Sequence, residues 1–161
     1  MFKTPQSPKL VGLCDADWAG DIDTRRSTTG YLFFLGGCLI SWSSRIQRTP
    51  ALSSAEAEYM SLSAAVQECL LLRKLVCELG FKAGTTTIFE DNQACIAIAK
   101  NEAHHQRTKH IDIRHHFVRF YVNSKEIELK YLATASMTAD ILTKPLGPVL
   151  FKKFRDKLIR C

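Results

Sequence analysis

The sequence predicts an α/β fold, a mixed five-stranded sheet with helices on both faces. Three observations predict it. The first 45 residues carry apolar, β-prone runs divided by turn signals. One long segment, 52–80, has helical period, and β-prone and helix-periodic segments alternate after it. The resulting order is βββ-α-β-α-α-β-α-α, an antiparallel meander continued by strands that need helical crossovers.

The first strand is expected over Lys9 to Asp15. Its apolar run, Leu10 to Cys14, ends in Asp15 and Asp17 within LVGLCDADWAG. Five uncharged residues fit a buried strand, and a carboxylate at the end of such a strand needs a cation or hydrogen-bond donors. Asp21 to Thr29 is a polar loop. YLFFLGG and CLISWSS, split at Gly36-Gly37, read as a hairpin.

Leu52 to Gly80 is the longest periodic segment and predicts a helix, with Ser53 and Glu56 as a capping box and Gly80 as its stop. Glu56, Ser63, Gln67, Lys74 and Glu78 fall on the expected wet side. Glu58, Leu62, Ala65, Val66, Cys69, Leu72 and Val76 fall on the core side. Capping and solvent account for Glu56, whereas Glu58 heads an apolar stripe and needs another reason.

TTTIFE, ending at Asp91, is the next strand, and Asn92 to Lys100 the next helix. A polar loop, NEAHHQRTK, leads into an amphipathic helix over 110–122. Ile113, Phe117, Phe120 and Tyr121 share one of its faces, and Asp112, His115, His116 and Arg119 fall elsewhere. Ile127 to Ala133 alternates as a half-buried strand. Ser136 to Lys144 is a short helix closed by Pro145, and Gly147 to Arg160 a basic amphipathic helix. The expected organisation is a linker remnant over 1–9, one domain over 10–146 and an appended helix over 147–161.

The composition agrees. With 161 residues, 46% hydrophobic and 24% charged, the chain can bury a sizeable core. Its net charge of +6 favours a polyanionic partner. The cysteines at 14, 38, 69, 77, 95 and 161 stand singly. They argue against a zinc ribbon or a disulfide framework and read as buried thiols in a reducing compartment. No apolar run has membrane-spanning length, and the N-terminus lacks a signal-peptide core. These features predict an intracellular protein, neither secreted nor membrane-bound.

Four carboxylates occupy comparable places: Asp15 ending the first strand, Glu58 on the core face of the long helix, Asp91 ending the later strand, and Asp140 in a late helix. In open sheets, sites gather beyond the carboxyl ends of strands. Acids converging there would repel unless divalent metal neutralised them, and hard oxygen ligands favour Mg²⁺ or Mn²⁺. Two such ions about 4 Å apart suit phosphodiester hydrolysis. Taken singly, each acid has an ordinary reading. Asp91 could cap the next helix, Asp140 could face a helix dipole, Asp15 could sit in a turn, and Glu58 could pair with a base. The four together, in that order, resist the ordinary reading.

CDADWAGD, RRSTTGYLF, LSSAEAEYMSL, EDNQACI, RTKHIDIRHHFVR and ADILTKPL, in this order, resemble the ribonuclease H domain of copia-type LTR retrotransposon Pol polyproteins. The resemblance covers about Leu10 to Leu146. It implies a ribonuclease H-like fold and hydrolysis of the RNA strand of RNA–DNA hybrids during reverse transcription. It also implies two Mg²⁺ ions, with Mn²⁺ as a possible substitute, and the reverse transcriptase domain of the same polyprotein as a partner. By the family pattern Asp15 bridges both ions, and Asp140 helps hold the ion that activates water. Glu58 and Asp91 hold the ion at the leaving oxygen, with Glu58 also near the ribose 2′-OH. Asp15 rather than Asp17 matches the strand acid of the pattern. The loop Ala133 to Ala139, ATASMTA, lacks a histidine that cellular members often carry.

Arg25, Arg26, Arg107, Lys109 and Arg114 are candidates for phosphate contacts, or else ordinary solvated charges. His104, His105, His110, His115 and His116 invite a zinc reading, which their irregular spacing and the absence of a thiol pair disfavour. Trp18 and Trp42 read as core or rim packing. Two rival functions remain: a non-catalytic binding or connection module, including a transposon relic, and a transposase or integrase core. The second would want Asp, Asp and a late Glu, an order this chain does not have.

Overall fold

The computed structural model describes residues 8–101 and 109–159, with the backbone alone over 109–112. The expected linker up to residue 7, the loop at 102–108 and the last two residues lie outside the described residues. The elements are β1 (Leu10–Asp17), β2 (Thr28–Leu35), β3 (Cys38–Ile46), α1 (Ser54–Glu78), β4 (Thr86–Glu90), α2 (Gln93–Lys100), α3 (Lys109–Asn123), β5 (Ile127–Tyr131) and α4 (Pro148–Leu158). The sheet order is β3-β2-β1-β4-β5. β1, β2 and β3 pair antiparallel, and β4 and β5 add in parallel. The predicted mixed five-stranded sheet is thus present.

The β2–β3 turn is built on Gly36 and Gly37, with φ of +61° and +93°. Two successive positive φ values match the twist of a two-residue hairpin. α1 starts where expected. Ser53 Oγ accepts the Glu56 N–H at 3.2 Å, and the Glu56 carboxylate accepts the Leu52 N–H at 3.0 Å. It crosses the face formed by Leu10, Cys14, Tyr31, Phe33 and Ile88, where Leu62, Val66 and Cys69 close the main core with α2 and α3. On the opposite face, Leu13 and Leu32 pack with Met137 and Ala139.

That second cover departs from expectation. In place of a helix over Ser136 to Lys144 there are two 3₁₀ turns, Thr134–Ser136 and Thr138–Leu142. Asp140 N–H donates to Met137 O and Thr143 N–H to Asp140 O, each at 3.2 Å. These i→i+3 bonds wind the stretch more tightly than an α-helix. α4 docks against this stretch through fully buried Phe154, and Lys153 Nζ donates to Ala135 O at 2.8 Å.

Three burial expectations need correction. Glu56 is only 8% exposed, and Ser63 is buried too, because neighbouring elements cover the side of α1 expected to be wet. Glu56 folds back over its own helix start and lines a small cavity with Tyr59, Ile98 and His115. In α3, Ile113 and Phe120 are 62% and 64% exposed, whereas His115 and Val118 are buried. The helix is rotated so that His115 stacks on Tyr59 of α1, with ring centroids 4.2 Å apart. Among the cysteines, Cys14, Cys69 and Cys95 are buried, Cys38 is half-buried and Cys77 exposed. Trp42 stands out from edge strand β3, and Trp18, half exposed, donates from Nε1 to Ala51 O at 3.1 Å.

Candidate functional site

The parallel β1–β4 pairing sets Val11 beside Thr87, Gly12 beside Ile88 and Leu13 beside Phe89. Carried two residues further, this register brings Cys14 level with Glu90 and Asp15 level with Asp91. Strand alternation sends Asp15 to the face of Leu13 and the 3₁₀ turns, and Cys14 to the face of α1. Asp140 comes from the second 3₁₀ turn and Glu58 from the first turns of α1.

Carboxylate oxygens of Asp15, Asp91 and Asp140 lie within 4.8 Å of one another, and so do those of Glu58, Glu90 and Asp91. All four acids singled out in the sequence therefore meet, with Asp91 common to both groups and Glu90 as a fifth member. Asp17 belongs to neither group; its carboxylate lies against Gly20.

Four of the five acids, Asp15, Asp140, Asp91 and Glu90, are held by hydrogen bonds or an ion pair. Asp15 accepts a hydrogen bond from the Thr143 hydroxyl, and its backbone oxygen accepts one from Ser61 Oγ at 2.7 Å. Lys144 Nζ stands 3.2 Å from Asp140 Oδ2 and 3.8 Å from Asp15 Oδ2. Asp91 accepts from Thr134 Oγ1 at 2.6 Å. It does not cap α2; Asn92 does, its side chain accepting the Cys95 N–H at 3.0 Å. Glu90 accepts from Asn92 N–H and from the Cys14 thiol, each at 3.1 Å. Glu58 Oε2 and Asp140 Oδ1 are buried with no hydrogen-bond partner.

Burial raises the carboxyl pKa values of Asp15, Glu58, Glu90 and Asp140, and neighbouring carboxylates add to it. Glu58 is pushed up to about 11, by burial and then by Glu90, Asp15 and Asp91. Glu90 is pushed up to about 8 and Asp140 to about 7, each chiefly by burial. Asp15 is raised as well, although Thr143 and Lys144 oppose the rise. Buried acids in such numbers, two of them with an orphaned oxygen, form a donor set for a hard cation. All the donors are carboxylate oxygens, the type that suits Mg²⁺ or Mn²⁺.

Glu90 was missed by reading Asp91 alone as the functional end of its strand. Period-two alternation could have found it, since Thr86 and Ile88 are buried and Glu90 continues their face. The zinc reading gains nothing here. Among the described residues, neither metal-capable group contains a histidine, and His115 is packed against Tyr59.

The basic candidates are dispersed. Arg25 and Arg26 are exposed in the β1–β2 loop, where Arg25 adopts φ of +54° and donates its N–H to Asp21 O at 2.8 Å. Arg114 lines a groove of about 430 Å³ between the β2–β3 hairpin, α1 and α3, together with Arg45 and Arg48. Those two arginines were not singled out from the sequence. Arg107 lies outside the described residues, as does the side chain of Lys109.

No family model matches the chain. It is 42% identical over 137 residues to the retrovirus-related Pol polyprotein from transposon TNT 1-94 of Nicotiana tabacum, covering 85% of this chain and 10% of the relative. It is 40% identical over 158 residues to the Pol polyprotein from transposon RE2 of Arabidopsis thaliana, covering 98% of this chain and 11% of the relative. The chain thus spans about a tenth of the length of these relatives. Among solved structures, it superposes on LC11-RNase H1, isolated from compost by a metagenomic approach. The TM-score is 0.62 at 12% identity, over 84% of this chain and 92% of that one. LC11-RNase H1 has also been solved in complex with an RNA/DNA hybrid, where the TM-score is 0.59 at 10% identity over 84% and 94% of the two chains. The prototype foamy virus protease-reverse transcriptase matches with a TM-score of 0.55 at 15% identity, over 91% of this chain and 22% of that one.

Proposed function

From the premise that this chain is a ribonuclease H-fold domain of the kind found in retrovirus-related Pol polyproteins, we propose that it is a metal-dependent endonuclease. Its substrate is the RNA strand of RNA–DNA hybrids made during reverse transcription. The observation that carries this reading is the meeting of Asp15, Glu58, Asp91 and Asp140 at the carboxyl ends of two parallel strands.

In this reading those four residues hold two Mg²⁺ or Mn²⁺ ions. Bound there, the ions supply an activated water and stabilise charge at the leaving oxygen. The rest falls to the chain. Thr143 and Thr134 hydroxyls aim the carboxylates of Asp15 and Asp91. Glu58, rising from α1 on the other face of the sheet, is the acid assigned to the ribose 2′-OH. Arg25, Arg26 and Arg114, with Arg107 and Lys109, provide phosphate contacts. The hybrid partner is supported by the likeness to a ribonuclease H solved with such a hybrid. A reverse transcriptase domain of the same polyprotein is supported by the Pol relatives and the foamy virus neighbour. An element that copies itself through reverse transcription implies an intracellular site of action. Among the described residues, no helix is long and apolar enough to cross a membrane.

Incubation with end-labelled RNA–DNA hybrid tests the proposal. RNA should be cut in Mg²⁺ or Mn²⁺ and left intact in EDTA, with the DNA strand untouched throughout. Salt-sensitive hybrid binding without cleavage in either metal would favour the binding-module reading instead.

A further inference from the structure

We propose that Glu90 is a fifth metal-ligating carboxylate, forming with Glu58 and Asp91 a three-carboxylate site for one hard divalent cation. This rests on the two-ion reading above and goes beyond it, since the family resemblance carries no role for Glu90.

Oxygens of Glu58, Glu90 and Asp91 lie within 4.8 Å of one another. Glu90 is completely buried and Glu58 is 93% buried, yet Glu58 Oε2 has no hydrogen-bond partner. The counter-charge within the cluster is uneven. Lys144 serves Asp15 and Asp140, and among the described residues no Lys or Arg makes an ion pair with Glu58, Glu90 or Asp91. Three carboxylates, Glu58 and Glu90 buried and Asp91 half-buried, repel one another without a cation, and a bound divalent ion relieves that repulsion.

The hydrogen bonds of Glu90 fit a ligand. Asn92 N–H holds Oε1 and the Cys14 thiol holds Oε2, while each carboxylate oxygen keeps a further lone pair. Outer contacts of this kind are what orient a metal-binding carboxylate. The asymmetry also sets an order. The first ion enters the half at Glu58, Glu90 and Asp91, because at Asp15 and Asp140 it has to compete with the Lys144 ammonium.

Mn²⁺ binding to the whole chain, followed by the paramagnetic resonance signal of free Mn²⁺, tests the assignment. The wild-type chain should bind two ions. Glu90→Gln should weaken the tighter one at least tenfold and leave the other within twofold. Two sites of wild-type affinity in a folded Glu90→Gln variant would overturn the role of Glu90. Should that variant fail to fold, carboxyl ¹³C resonances of the wild-type chain decide. Under Mg²⁺ titration, Glu90 and Glu58 should shift with one midpoint, and a stationary Glu90 beside a moving Glu58 overturns the proposal. No Mn²⁺ binding by the wild-type chain would overturn the two-ion reading together with it.

Discussion

Lys144 spans the two acids that arrive from opposite ends of the chain, its ammonium 3.2 Å from Asp140 and 3.8 Å from Asp15. It ties β1 to the segment after β5, so the site and the closure of the second face share one contact. Lys144→Met should lower the melting temperature in EDTA. A partly exposed pair is worth about 1 kcal/mol, or roughly 2–4 °C at this chain length. The loss should shrink in Mg²⁺, which supplies the missing positive charge. An unchanged melting temperature in EDTA would show that the pair contributes nothing.

The raised carboxyl pKa values set a pH dependence. Asp140 and Glu90 titrate near 7 and 8 in the folded chain and about 4 when unfolded. Between those values the folded state binds more protons, so their contribution is complete below about pH 4 and is lost as pH rises through 7 to 8. The metal-free chain should therefore melt higher at pH 5 than at pH 8, and saturating Mg²⁺ should narrow the gap. Scanning calorimetry across this range in EDTA checks the sign.

Asp15→Asn removes an acid from a crowded site and keeps its shape. In EDTA its melting temperature should equal or exceed that of the wild type, because repulsion with Asp91 and Asp140 falls. Hybrid cleavage should drop by more than about 100-fold, the upper range for losing even an outer-shell metal contact, while hybrid binding persists. Unfolding of this variant would recast Asp15 as a structural residue.

Glu56 and Glu58 should separate stability from activity. Glu56→Ala removes the bond to Leu52 N–H and should cost about 0.5–2 kcal/mol with cleavage retained. Glu58→Gln should abolish cleavage and leave the fold intact. Urea unfolding and a cleavage assay on both variants decide it, and equal losses of activity would refute the division.

Gly30 lies opposite Asp15 on β2, beneath the second 3₁₀ turn. A Cβ there would stand 2.6 Å from Thr143 Cγ2 and 3.1 Å from Leu142 Cβ. Gly30→Ala should push that turn away, costing about 1–3 kcal/mol as overpacking does. Cleavage should fall as well, since Thr143 and Asp140 move with the turn. Full activity at wild-type stability would show that the turn yields freely.

The sequence by itself determined the strands, the long helix with its Ser53 cap, and the four acids, because period, caps and turn glycines act over a few residues. The order βββ-α-β then left few topologies for the sheet. What only the tertiary structure decided were properties set by neighbours distant in sequence. The side of Glu56 was read as wet because local period cannot reveal which elements cover α1. The true inner face of α3 depended on where Tyr59 stood to meet His115. Glu90 looked like the ordinary end of a strand until α1, packed on the same face of the sheet, set Glu58 beside it. Lys144 gained Asp15 as a partner when the chain folded back on β1. Burial and charge proximity arise from packing, and no stretch of sequence contains them alone.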